Sequence, residues 1–144
     1  MRLPSTVVLT LTDAVFRQML AHAYDGLPDE ACGMFAGGYG SDRVEVFYPM
    51  TNSAHSQKVY VLDGHEQLSV ERAADEAGLS ILGVMHSHTH TTAYPSPTDV
   101  ADAAAADPLG VYFFVIVSLK HPEPALRAYK MLDGAITEHL VEVV

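Results

Sequence analysis

Along this chain the spacing of hydrophobic positions switches between two periods, and the switches mark out its elements. Val7-Val8-Leu9 reads as a short strand. From Thr12 the period lengthens, and Val15, Phe16, Met19, Leu20 and Ala23 share one face of a helix. Thr12 can cap its start, and Asp25-Gly26 followed by Pro28 ends it. Glu30 to Gly37 carries Ala31, Cys32, Met34, Phe35 and Ala36, which predicts a strand entered from a loop with Glu30 at its mouth. Arg43 to Met50 predicts another strand, and Lys58 to Leu62 a further one. Asp63-Gly64-His65-Glu66 opens a helix that runs to Gly78.

The second half is more apolar. Ile81-Leu82-Gly83-Val84-Met85 reads as a buried strand. Ser96-Pro97-Thr98-Asp99 is a helix start, with Ser96 as N-cap, Pro97 at the first position and an acid at the third, and the alanine-rich Val100–Ala106 continues it. Val111 to Leu119, almost wholly apolar and β-rich, predicts the central strand. Ala125 to Met131 and Ala135 to Val143 are joined through Asp133-Gly134, a hairpin signal. Strands and helices interleave, so the class is α/β (α+β). The 144 residues read as a single domain, 1–144, without repeat or linker.

Composition narrows the partners. Eighteen acidic residues against eight Lys and Arg give a formal charge of −10, which argues against nucleic acid or an anionic membrane as the main partner. No run approaches the ~18 apolar residues of a membrane span. Met1-Arg2-Leu3-Pro4-Ser5 does not read as a secretion signal, and the lone Cys32 suits a reducing cytoplasm.

The chemistry concentrates in His86-Ser87-His88-Thr89-His90. Alternation along a strand projects His86 and His88 from one face, a ready pair of ligands for a divalent metal. The nearest downstream acid is Asp99. Two histidines and a carboxylate leave a fourth tetrahedral position for water, the layout of a catalytic zinc. Read separately, each half has a plainer explanation: histidines end many strands, and helix capping accounts for Ser96 and Asp99. Their combination is far more specific. Other metal signatures fail on spacing, since there is no His-Glu-x-x-His and a single cysteine cannot supply Pro-Cys-x-x-Cys. A metal-activated water also needs a nearby base. Glu30, at the mouth of an apolar strand, is the best-placed acid, although by itself it reads more readily as an ordinary solvated loop residue beside Asp29.

His86, His88, Ser96 and Asp99 resemble the motif of the JAMM (MPN-plus) metalloproteases: His-x-His, seven residues, Ser, two residues, Asp. Pro28, Glu30, Gly33 and Gly37 resemble the upstream Pro-x-Glu-x-x-Gly-x-x-x-Gly context of that family. Within it, Pro28-Asp29-Glu30-Ala31-Cys32-Gly33, Pro49-Met50-Thr51-Asn52, His86-Ser87-His88-Thr89 and Ala93-Tyr94-Pro95-Ser96 look like a bacterial, largely actinobacterial branch that releases cysteine from a ubiquitin-like sulfur-carrier protein. Thr89 departs from the proline common after the second histidine, and His90 has no place in the motif.

The resemblance implies an MPN/JAMM fold, a curved mixed β-sheet flanked by helices and cytidine-deaminase-like. It implies one Zn2+ per chain on His86, His88 and Asp99, with Glu30 as general base and then general acid, and Ser96 donating to the developing oxyanion. The implied substrate is a carrier protein with a C-terminal Gly-Gly, cut in the cytoplasm to release cysteine; a homodimer is left open. Competing readings are a general deconjugating isopeptidase, a non-catalytic MPN-type scaffold, and a cupin-like metal barrel. The scaffold reading is disfavoured by the intact ligand set. The cupin pattern wants a glutamate shortly after the second histidine, where this chain has Thr92 and Ala93.

Overall fold

The computed structural model describes residues 7–144, so Met1-Arg2-Leu3-Pro4-Ser5 lies outside it. In chain order its elements are β1 (Val8–Leu11), α1 (Asp13–Asp25), β2 (Cys32–Gly37), β3 (Arg43–Val44), β4 (Val46–Met50), α2 (Gly64–Glu76), β5 (Ser80–His88), α3 (Pro97–Ala106), β6 (Phe113–Ser118), β7 (Ala125–Leu132) and β8 (Ala135–Val143). The strands form one mixed sheet in the order β3-β1-β8-β7-β6-β5-β2-β4. Its two edge strands, β3 and β4, are separated in sequence by Glu45 alone. The edges must therefore approach each other, and the sheet curls until it nearly closes. At the β3–β4 junction Glu45 N donates to Ala36 O of β2 at 2.9 Å, which extends the β2–β4 ladder up to the turn into β3.

Each face of the sheet buries its own apolar set. On one, Val15, Met19 and Ala23 of α1 pack on Leu9, Leu11, Phe35, Met85 and Val115. On the other, Val70 of α2 and Val100 and Ala103 of α3 cover Cys32, Met34, Val84 and Phe114. Met85 and Val84 are neighbours in β5 that point to opposite faces, as strand geometry requires. β5 is thus covered on both sides, between antiparallel β2 and parallel β6, with α3 in the crossover. Among the described residues no helix is long and apolar enough to cross a membrane.

Several boundaries differ from the sequence expectation. Lys58 to Leu62 is not a strand; it contributes a single bridge, Asn52 with Leu62. The Asn52 side chain takes over its backbone, donating to Val59 O at 3.0 Å and accepting from Val61 N at 3.0 Å. Those groups are then unavailable to a ladder. Arg43 to Met50 divides into β3 and β4 at Glu45, where the chain passes from one edge to the other. The predicted central strand starts at Phe113 rather than Val111, because Asp107 accepts from the amides of Val111 and Tyr112 at 3.0 Å each. The helix expected to reach Gly78 ends at Glu76, and Gly78 takes φ +73°.

Gly83, within β5, is required by close approach. A Cβ there would stand 1.9 Å from Phe113 O and 2.6 Å from the Phe35 ring. Gly83→Ala should therefore lower stability by about 3 kcal/mol or more. Gly64, at the start of α2 with open space around it, is the control. Gly64→Ala should stabilise by about 0.5 kcal/mol. Urea midpoints of the two variants check both signs.

Candidate metal centre

β5 carries His86 and His88 two positions apart, and α3 brings Asp99 up to them from its first turn. The three side chains are 1%, 3% and 8% exposed as residues, too buried for an ordinary solvated cluster. His86 Nε2 and His88 Nε2 are 3.1 Å apart, and Asp99 Oδ2 lies 3.2 Å from the first and 3.0 Å from the second. Zinc–ligand bonds of about 2.0–2.1 Å in a tetrahedron set neighbouring donor atoms about 3.3 Å apart. The observed triangle fits that edge closely, and the donor types suit a divalent transition metal. Among the described residues this is the cluster of His, Cys, Asp and Glu able to hold one.

Each ligand is oriented by a neighbour. His88 Nδ1 lies 2.7 Å from Thr92 O and donates to it, which leaves the Nε2 lone pair facing the centre. The Tyr60 ring stacks on His86, centroids 4.4 Å apart. Asp99 and Ser96 form a capping box: Ser96 N donates to Asp99 Oδ2 at 2.9 Å, and Asp99 N donates to Ser96 Oγ at 3.1 Å. The capping bond thus leaves the carboxylate facing both imidazoles, so capping does not take it away from the cluster. The Ser96 hydroxyl, accepting one bond here, keeps its own hydrogen to donate elsewhere.

Burial alone would push Asp99 up, but the two imidazoles and the Ser96 amide outweigh it and hold the carboxyl well below the usual range. Desolvation pulls His86 down. It acts on His88 in the same direction, but bonds to Asp99 and to the Thr92 carbonyl turn that group upward. His86 Nδ1 and Glu30 Oε1 are the buried side-chain polar atoms without a hydrogen-bond partner among the described residues. The Glu30 oxygen, close enough to feel the charges of His88 and Asp99, is the orphaned group that a reacting water at the cluster would satisfy.

Glu30 precedes β2, whose register with β5 pairs Cys32 with His86. Ser87 N donating to Ala31 O at 2.9 Å carries that register one pair further. One more position sets Glu30 opposite His88, on the face that bears both imidazoles. Glu30 is 5% exposed, not the solvated loop acid that remained an alternative. Burial, eased by the His88 charge and reinforced by that of Asp99, pushes its carboxyl from 4.5 up to about 7. Cys32 beside it is fully buried, and burial together with Glu66 and Glu30 pushes the thiol up to about 12, so it is no nucleophile.

His90 stays outside the cluster. It is exposed, with Nε2 3.3 Å from Gln57 Oε1. Thr89, where proline is common, donates through Oγ1 to Gln57 O at 3.2 Å. Asn52 and Ser87 were present in the motifs read from sequence but carried no role there, because a buried side chain that bonds main chain leaves no periodic signal.

Two expectations follow. The protein should bind one divalent ion per chain, and His88→Ala or Asp99→Ala should lose most of it in elemental analysis; full retention in Asp99→Ala would remove that residue from the site. For Glu30, a folded pKa above the unfolded value means the neutral form favours the fold. That contribution is complete below pH ~4.5 and lost as pH rises through about 7. In EDTA-treated protein, the urea midpoint of wild type relative to Glu30→Gln should fall across that window and then level. A flat difference would mean that Glu30 is not desolvated.

Residues 12–131 match the family described as prokaryotic homologs of the JAB domain. The chain is 44% identical over 145 residues to the CysO-cysteine peptidase of Mycobacterium tuberculosis, covering 100% of this chain and 97% of the relative. Among solved structures, protein DSY2949 from Desulfitobacterium hafniense is similar at 33% identity and TM-score 0.84, covering 94% of this chain and 92% of that one. AF2198 from Archaeoglobus fulgidus, a JAB1/MPN domain protein, shares the fold at 17% identity and TM-score 0.62, with 95% and 98% covered. The ligand triangle, the curled mixed sheet and these likenesses agree, and the chain belongs to the JAB (JAMM/MPN-plus) domain family.

Proposed function

We propose that this protein is a zinc-dependent peptidase that hydrolyses the amide bond after the C-terminal Gly-Gly of a ubiquitin-like sulfur-carrier protein and releases cysteine. The observation that carries a hydrolytic reading is the convergence of His86 Nε2, His88 Nε2 and Asp99 Oδ2, with a buried, otherwise unpartnered Glu30 oxygen beside them. The substrate rests on full-length similarity to the mycobacterial CysO-cysteine peptidase.

In this reading His86, His88 and Asp99 hold the ion. When bound, zinc supplies Lewis acidity, making water a nucleophile near neutral pH and polarising a carbonyl. Glu30 accepts the proton of the attacking water on its carboxylate. Its upward shift suits that task, because a base of pKa near the working pH can both take a proton and return it. The same carboxyl then passes the proton to the departing nitrogen of cysteine. The Ser96 hydroxyl donates to the oxyanion as the tetrahedral carbon forms, an interaction worth about 3 kcal/mol when removed. The carrier tail lies extended at the site, where glycines permit close backbone approach. A reducing cytoplasm is the compartment this chemistry fits, since the product is a free thiol.

The test is incubation with a carrier protein ending in Gly-Gly-Cys, followed by intact-mass analysis. Wild type should remove one cysteine, and Glu30→Gln should do so at least ~100-fold more slowly with its metal content unchanged. A Gly-Ala-Cys terminus should be cut poorly. If a lysine-linked isopeptide is cleaved as fast as the cysteine adduct, the cysteine-specific reading fails and a general deconjugating peptidase takes its place.

A further inference from the structure

Glu30 must be held in place, yet its side chain does little of the holding: Oε1 is buried with no hydrogen-bond partner. The grip is on the main chain instead. β2 leaves its ladder at Cys32, and upstream of that point regular acceptors and donors run out. Four consecutive backbone groups are nevertheless all engaged. Glu30 N donates to Ser56 O at 2.8 Å, and Glu30 O accepts from Asn52 Nδ2 at 3.0 Å. Ala31 N donates to Ser87 Oγ at 2.7 Å, and Ala31 O accepts from Ser87 N at 2.9 Å.

Two of these partners are side chains, and both are well anchored. Ser87 is 0% exposed and stands on β5 between His86 and His88, so it shares the rigid strand that carries both imidazoles. Asn52 is 8% exposed. Its Nδ2 also donates to Val59 O at 3.0 Å, while Oδ1 accepts from Ala54 N and Val61 N at 3.0 Å each. An amide tied at both ends has little freedom to follow a drifting backbone. Glu30 is thus clamped from β5 on one side and from the 52–61 loop on the other.

We infer that Ser87 and Asn52 are positioning residues for Glu30: they set the distance between its carboxylate and the two histidines, and they act on the reaction only through it. This rests on the reading of Glu30 as proton acceptor. Neither side chain touches the reacting atoms in this scheme. A displacement of about 1 Å at a catalytic group can cost ~100-fold in rate, so loosening one clamp should be visible in kcat.

The first measurement needs neither activity nor metal. In EDTA-treated protein the Ala31 amide should exchange at least ~10-fold faster in Ser87→Ala than in wild type, because its acceptor is gone. An unchanged rate overturns the clamp. The second is a double-mutant cycle on the metal-loaded enzyme with the Gly-Gly-Cys carrier. Ser87→Ala should lower kcat by about 10- to 100-fold with KM within about twofold and metal content unchanged. In a Glu30→Gln background the same change should cost less than about twofold, since there is no base left to position. Equal fractional losses in both backgrounds would mean a merely structural role and overturn the inference. Should Ser87→Ala not fold, Asn52→Ala decides by the same cycle, because it removes the donor to Glu30 O without adding a charge beside the carboxylate. The Glu30→Gln background subtracts the loss of its other bonds to Val59 O, Ala54 N and Val61 N. A wild type without turnover overturns the substrate reading instead, and the Ala31 exchange rate then decides the clamp alone.

Discussion

One carboxylate oxygen ties the site to the fold. Asp99 Oδ2 lies within 3.2 Å of both imidazole Nε2 atoms and accepts from Ser96 N at 2.9 Å. A buried carboxylate left alone would be costly; here a helix N-terminus and two imidazoles compensate it. The arrangement dictates where α3 may begin and therefore what lies before it. The 89–95 connection has to span from the end of β5 to that helix start and stay still. It is pinned along its length: Leu119 N donates to His88 O at 2.9 Å, Ser118 Oγ to Thr91 O at 2.6 Å, and the Tyr129 hydroxyl to Ala93 O. β6 and β7 therefore serve the site without contributing to its chemistry.

What was legible in the sequence was whatever repeats or caps. The α1 stripe of Val15, Met19 and Ala23 is buried as its period demanded, and the Ser96-Pro97 start stands where capping put it. His86 and His88 face one way because strand geometry leaves no choice. Lys58 to Leu62 differs from the expectation because its run of β-branched and aromatic residues is real, but its backbone is claimed by a side chain seven and nine residues upstream, in no repeating pattern. The same blindness hid Ser87 and Asn52. Glu30 was ambiguous for a different reason: a loop acid and a buried one have the same neighbours in sequence, and only the β2–β5 register decides between them.

The two oddities of the metal stretch meet the same residue. Thr89 and His90 both reach Gln57, one through its carbonyl and the other through its side chain. With Ser56 O holding Glu30 N next door, the 52–61 loop is fastened both to the strand that bears the ligands and to the acid that faces them. Replacing a proline by threonine here frees the residue to make that bond.

The burial of Cys32 has a meaning beyond packing. Its thiol sits two residues from Glu30 and is fully buried, and burial pushes it up to about 12, so at neutral pH the thiolate is scarce. Thiol–disulfide exchange proceeds through the thiolate and needs access to it. Under the proposed activity every turnover liberates a sulfhydryl within reach of the protein. Cysteine itself, a thiol, cannot form a disulfide with Cys32 without an oxidant. Its oxidised form, a disulfide, would need the scarce and buried Cys32 thiolate as attacker, so burial protects this side chain from mixed-disulfide capture.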